Sequence, residues 1–372
     1  MEAIPKRNFK NLLKELVLFS DGISRKELAA RSGLDVRTVS GYIDELLKQK
    51  IVTEKSSDAS GRGRPSVLYR SNSENLAFSG ITIRAKSLEF CCCSTNGSII
   101  NEGAESFNPD SETKLKTINR ILEKTGFLKK AAESEGKNIA GIGIAVSRWL
   151  QPPLSGYDIY SDISEIMEKE SGIPVFRTTP INAALYHIRN LPDAPRDMII
   201  AHPGIVLELG IMISGSIPAD AREIEKNFSH ICVDENGPLC YCGKKGCLEH
   251  YAMQASISDI LKSESKKDAL NIVPEFEKGL DSGIPACIRT AEKVSSALAC
   301  GIARFCHDVQ ISAVNIAAHP SLAEATVRKM RELPEFKEKK EIKLLALTHI
   351  DIARASALMA AFEVVRNFEK TP

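Results

Sequence analysis

The chain lacks most of the features that place a protein quickly. No stretch resembles a secretory leader, and no apolar run approaches the ~18 residues that a membrane span needs. Membrane insertion is therefore not expected, and the reading is a cytoplasmic protein. Ten cysteines in 372 residues are too sparse for a disulfide scaffold. Their clustering in a chain without a leader favours reduced thiols and a metal. Net charge is only +1, but it is unevenly spread. Residues 1–72 carry 14 Lys+Arg against 9 Asp+Glu, and the remainder carries 35 against 39. A basic front on a mildly acidic body suits a local contact with nucleic acid. With 43% hydrophobic and 26% charged residues, the chain reads as an ordinary globular protein of two or three domains.

The front carries the first informative pattern. Residues 9–19 place Phe9, Leu12, Leu13, Leu16 and Val17 on one helical face. Asp21-Gly22 breaks that helix, and Ser24 with Glu27 forms a capping box for the next one. Ser32-Gly33 supplies a tight turn, and Asp35 caps a third helix whose Val39, Ile43 and Leu46 face inward. Arg37, Thr38, Ser40, Gly41 and Tyr42 are left outside, near the end that enters a major groove. Two short strands flank a Gly/Arg loop over 56–66, giving a winged helix–turn–helix. Arginines on a flexible glycine backbone suit a narrow minor groove or its phosphates, which makes Arg62 and Arg64 candidates for DNA contact.

The second pattern is His230-x9-Cys240-x-Cys242-x4-Cys247. Four N/S ligands at this spacing fit a closed, structural zinc site. Gly243 and Gly246 let the chain fold tightly around an ion, and Gly237-Pro238 turns it inward. Cys232 competes with His230, because two residues apart on a strand they share a face. An all-thiolate set, even an iron–sulfur one, therefore stays open on spacing alone. The remaining cysteines (91–93, 287, 300 and 306) lie in apolar stretches and read as packing residues. The other histidines show no ligand spacing.

The stretch 237–249, ending in Cys247-Leu248-Glu249, resembles the zinc signature of the ROK family of repressors, open reading frames and sugar kinases. The winged front and the body from about 75 to 368 are similar to that family as well. The resemblance implies a body of two α/β lobes of the actin-like, sugar-kinase type (ribonuclease H-like), and it favours His230 over Cys232. Paired strands around 80–83 and 88–93, ahead of a turn at Asn96-Gly97, agree with it, as does a buried strand over 139–146. The expected division is a DNA-binding domain over 1–72, a first lobe over 73–190 and a second lobe over 191–372. The last helix is expected to return to the first lobe.

The sequence departs from the family's kinase pattern at every nucleotide element. The first-strand D-x-G-x-T loop reads Thr82-Ile-Arg84-Ala-Lys86-Ser87, without the acid or the glycines. Pro180 stands where the resemblance puts the aspartate base, and proline cannot accept a proton. The G-T-G loop becomes Gly204-Ile205-Val206 with Glu208 nearby, and the late G-G becomes Ala317-Ala318. Of the family's sugar-holding residues only His230 and Glu249 match, while Asn227, Thr179 and Asn182 remain as hydrogen-bonding substitutes.

The expectation is a non-enzymatic regulator, in the first instance a repressor of carbohydrate-related genes. It would read an inverted repeat in double-stranded DNA as at least a homodimer. Its effector would be an altered sugar, another small molecule or a protein. A docking module for a transporter or enzyme is the second reading, and a residual sugar kinase the third.

Overall fold

The computed structural model describes residues 17, 20, 22–48, 52–56, 67–71, 74–84, 86–95, 97–108, 112–150, 162–189, 194–204, 206–218, 220–251, 269–309, 311–337 and 352–367. By contact, the chain separates into two units. The first holds Met1–Val146, Asp158–Thr178 and Ile352–Pro372, and the second holds Ser147–Tyr157 and Thr179–Asp351.

Helices α1 (Arg25–Ser32) and α2 (Val36–Lys48) form the front helix–turn–helix. Ser24 starts α1 by accepting the Glu27 backbone N–H at 3.2 Å. The Glu27 carboxylate does not turn back to complete the box; it approaches Arg31 at 3.9 Å. Gly33 ends α1 at φ 70°, a left-handed conformation that only glycine adopts without cost. Strands β1 (Val52–Ser56) and β2 (Val67–Ser71) pair antiparallel, and Ile23 adds a bridge to Tyr69. Leu28, Val39, Ile43, Leu46, Val52 and Tyr69 close a small core that includes Val17. The rest of the expected first helix, and the wing tip with Arg62 and Arg64, lie outside the described residues.

Five strands form the sheet of the first unit: β3 (Leu76–Ile83), β4 (Ser87–Ser94), β5 (Ile99–Ser106), β6 (Asn138–Val146) and β7 (Val175–Thr178). Their order is β5-β4-β3-β6-β7. Strand β4 runs antiparallel to both β3 and β5, and β6 and β7 run parallel to β3. This is the ribonuclease H-like arrangement. Helices α3 (Lys114–Ser134) and α4 (Ile163–Ser171) supply its crossovers. The other sheet face is covered from the far end of the chain, by the helix Ile352–Asn367. Gly80 on β3 and Gly143 on β6 allow this. A Cβ at either position would overlap a backbone carbonyl of that helix, Ala353 in one case and Ser356 in the other.

In the second unit α5 (Pro180–Arg189) precedes β8 (Met198–Pro203) and β9 (Leu207–Met212), and α6 (Ala221–Ser229) leads to the Cys/His loop. After the short α7 (Leu248–Tyr251) come α8 (Ala269–Asp281), the long α9 (Pro285–Asp308), β10 (Ala313–Ile316), α10 (Pro320–Glu332) and α11 (Pro334–Lys337); Ile352–Asn367 is α12. The sheet order is β10-β8-β9, with β9 antiparallel and β10 parallel to β8. That trio repeats the arrangement of β6, β3 and β4. Its core joins Ile199, Leu209, Phe228, Leu298 and Ile302. Among the described residues, no helix is long and apolar enough to cross a membrane.

Candidate functional site

The Cys/His segment is shaped by its backbone. His230 caps the C-terminus of α6, where its N–H bonds the Lys226 and Asn227 carbonyls. The following loop closes through Cys240 N–H to Lys244 O at 2.7 Å and Gly246 N–H to Pro238 O at 2.9 Å. Gly243 and Gly246 turn at φ 86° and 64°, and a Cβ on Gly246 would overlap the Asp234 carbonyl. The result brings one donor atom each from His230, Cys240, Cys242 and Cys247 within 4.8 Å of one another. The close pairs are Cys242 Sγ to Cys247 Sγ at 3.5 Å and Cys240 Sγ to His230 Nδ1 at 3.6 Å. A tetrahedral ion with bonds near 2.0–2.3 Å spaces its ligand atoms by roughly 3.5–3.8 Å, so the donor set fits a metal. Cys232 is outside this group; its backbone pairs with Cys247 and its carbonyl accepts from Arg304.

The electrostatics of the loop divide the four donors: two are shifted toward the form that binds a metal, and two are held as thiols whose protons an ion must displace. Burial holds the His230 ring below its ordinary pKa, so it is neutral and offers a lone pair. Burial also raises the Cys240 and Cys247 thiols, the latter to about 12. The Lys244 backbone N–H beside Cys242 lowers that thiol instead. The exposed Tyr241 ring meets the His230 ring edge-on at 5.1 Å.

Next to this loop lies a charged cluster that sequence reasoning missed. Arg148 follows β6 in a single 3-10 turn. Its backbone N–H donates to Glu208 at 3.1 Å, and its guanidinium donates to Leu207 O at 2.6 Å and Ser229 Oγ at 3.2 Å. The other guanidinium nitrogen reaches Glu249 at 3.4 Å. Glu225, buried on α6, accepts the Leu209 N–H at 3.2 Å. Burial pushes its carboxyl up to about 8, with Glu208 and Glu249 adding to the rise and Arg148 opposing it. The sequence marked Glu208, a lone acid in the apolar run 206–212, and Glu249, but nothing local marked Arg148 or Glu225 as belonging with them.

The other expected effector residues fall into separate places. Thr179 accepts the Asn182 N–H at 3.3 Å and so caps α5, with Pro180 at the first helical position. Asn182 Oδ1 is buried without a hydrogen-bond partner. Asn227 is exposed on α6. Glu249 belongs to the Arg148 cluster, and His230 belongs to the Cys/His loop, where Glu249 and Arg148 act on its ring only electrostatically.

On the front domain Arg37 is exposed at the start of α2. The Thr38 hydroxyl donates to Asp35 at 2.7 Å, and Ser40 donates to Val36 O at 2.8 Å. Both hydroxyl protons are thus committed locally, leaving the oxygens as acceptors. Tyr42 is half-buried against the front core.

The profile of the ROK family matches residues 79–356. The chain belongs to the ROK family. Among curated ROK relatives, the xylose repressor of Bacillus spizizenii is 27% identical over 277 residues, covering 71% of this chain and 70% of the repressor. The xylose repressor of Bacillus subtilis is 25% identical over 274 residues, with the same two coverages. An N-acetylmannosamine kinase of Salmonella newport matches at 28% over only 127 residues, 32% of this chain and 43% of the kinase.

Among solved structures, a ROK family transcriptional regulator described as a homologue of the Escherichia coli MLC protein covers 98% of this chain and 99% of its own. Its TM-score is 0.68 at 16% identity. A ROK hexokinase from Thermus thermophilus covers 77% of this chain and 99% of its own, with TM-score 0.60 at 19% identity. These two establish the shared fold. Within the second unit an imidazole joins the end of β8 to the segment after β10. His202 Nδ1 donates to Ala317 O at 2.6 Å, and its Nε2 lies beside Gly204.

Proposed function

We propose that the chain is a DNA-binding transcription repressor of carbohydrate-related genes, acting in the cytoplasm, with no kinase activity. The observation that carries this reading is the capped helix–turn–helix on a ROK body whose long matches are xylose repressors. Arg37 and Tyr42 on α2, the acceptor oxygens of Thr38 and Ser40, and the wing arginines Arg62 and Arg64 make the DNA contacts. Two copies of the chain read an inverted repeat as a homodimer or larger assembly.

Three features support the absence of phosphoryl transfer, which depends on positioning and charge stabilisation. Pro180 starts α5 where a base would stand, the β3–β4 turn lacks the phosphate-cradling acid and glycines, and His202 fills the space between Gly204 and Ala317. His230, Cys240, Cys242 and Cys247 hold a structural zinc ion, which cross-links the loop after α6. The effector, a small molecule or a protein, binds around His230 and Glu249, with Thr179, Asn182 and Asn227 contributing. Because Glu249 is already engaged by Arg148, the ligand differs from a sugar read by free carboxylates.

The test is selection of genomic fragments by the purified, zinc-loaded protein, followed by sequencing. An inverted repeat that is recovered by the native chain and lost with Arg37→Ala or with Arg62→Ala/Arg64→Ala supports the reading. Sequence-blind, salt-sensitive retention would overturn it in favour of a protein-docking role.

A further inference from the structure

The loop that carries the Cys/His cluster also walls a groove of about 630 Å³ that none of the roles above uses. Its opposite walls are α9 and α10. The volume falls inside the range of small-molecule sites. Val233 and Ala297 line it with carbon.

The groove's charge runs against that of the molecule around it. The body beyond residue 72 carries a net −4. Yet Arg289 and Lys293, one turn apart on α9, face the groove together with Lys329 of α10. Neither Arg289 nor Lys293 makes a side-chain hydrogen bond or ion pair among the described residues. Lys329 has only a 4.0 Å contact with Glu332. Of the two acids at the rim, Asp234 is taken up by the Tyr251 hydroxyl at 2.8 Å and the Asn236 N–H at 3.0 Å. Glu292 is left as the one acid without a side-chain partner there. Three cations from two helices lining one groove together with apolar carbon suit a compact, doubly charged anion bearing a carbon skeleton.

We propose that this groove binds a small phosphomonoester. The phosphoryl oxygens accept from Arg289, Lys293 and Lys329, and the carbon skeleton rests on Val233 and Ala297. Binding there bears directly on the metal loop. Val233 N–H bonds Gly246 O at 2.8 Å, the Asp234 carbonyl lies against Gly246, and Cys247 follows in the chain. Occupancy therefore stiffens the segment that presents two of the four metal donors.

The experiment is calorimetric titration of the full, metal-loaded chain with phenyl phosphate, glycerol phosphate, inorganic phosphate and phenol. The expected result is saturable one-to-one binding of at least one ester, at least tenfold tighter than inorganic phosphate, with phenol not binding. Arg289→Glu/Lys293→Glu weakens the ester at least thirtyfold, whereas Lys129→Glu/Lys130→Glu, the same charge change on α3, leaves it within twofold. The proposal is overturned if no ester binds more tightly than inorganic phosphate, or if the Lys129/Lys130 double variant loses binding as much as the groove variant. A groove variant that changes the oligomeric state in sedimentation, from a native chain that binds no ester, also overturns it and makes the groove a contact between copies. The outcome does not depend on whether the chain represses transcription.

Discussion

Arg148 and Glu249 are 101 positions apart and meet at 3.4 Å, with both side chains largely withdrawn from water. The contact ties the segment leaving β6 to the residue two places beyond the last cysteine of the metal loop. Arg148→Ala leaves Glu249 and Glu208 buried together without their cation, which costs about 3 kcal/mol by analogy with other broken buried pairs. Denaturant unfolding is expected to show a lowered midpoint with an unchanged slope. A midpoint within error of the native chain would mean that water already screens the cluster.

Glu225 makes stability depend on pH with a defined sign. Its folded pKa of about 8 lies above the value near 4.3 of an unfolded glutamate. Between those values the folded state holds a proton that the unfolded state has lost, so stability falls as pH rises through that window, by up to ~1.4 kcal/mol per unit. Glu225→Gln keeps an acceptor for the Leu209 N–H and removes the titration. Melting temperatures of the variant should stay flatter than those of the native chain from pH 6 to 8.5, and a variant that tracks the native curve would assign the dependence elsewhere.

Metal content separates the two possible ligand sets. Mass spectrometry is expected to find one zinc per chain, retained by Cys232→Ser and lost by His230→Ala and Cys242→Ser. Chelation of the native chain should lower its melting temperature to that of the Cys242 variant. Loss of zinc from the Cys232 variant with retention in the His230 variant would reverse the assignment.

Two glycine substitutions should move stability in opposite directions. Gly143→Ala forces β6 and α12 apart, because the added methyl would overlap the Ser356 carbonyl. A loss above about 3 kcal/mol, or failure to fold, is expected. Gly126→Ala lies inside α3 with open space around it and should gain about 1 kcal/mol. Equal effects at the two sites would refute the close approach of α12 to the sheet.

What was legible in the sequence is what is local in the chain. The helix–turn–helix shows because Ser24, Gly33 and Asp35 act on residues within four positions, and the Cys/His loop because three donors lie within eight residues. Glu27 satisfied a spacing rule, yet its carboxylate faces Arg31, since neighbouring charges compete with the backbone for it. The Arg148 cluster was illegible for the opposite reason. Its partners lie 59 to 101 positions away, and nothing local distinguishes a buried arginine from a solvated one. The repeated strand trio, β4-β3-β6 and β9-β8-β10, is likewise a property of pairing that residue identities do not display.

Helix α12 covers β3 and β6 from the far end of the chain, and this fixes an order of events during synthesis. The strands with Gly80 and Gly143 leave the ribosome roughly 200–270 residues before the helix that seals them, a delay of about 10–50 s at common elongation rates. Throughout that interval the first sheet has one uncovered apolar face, while the front helices and the whole second unit are already made. The unit begun first is therefore finished last, and a nascent chain stalled before Ile352 presents a formed DNA reader on an open sheet.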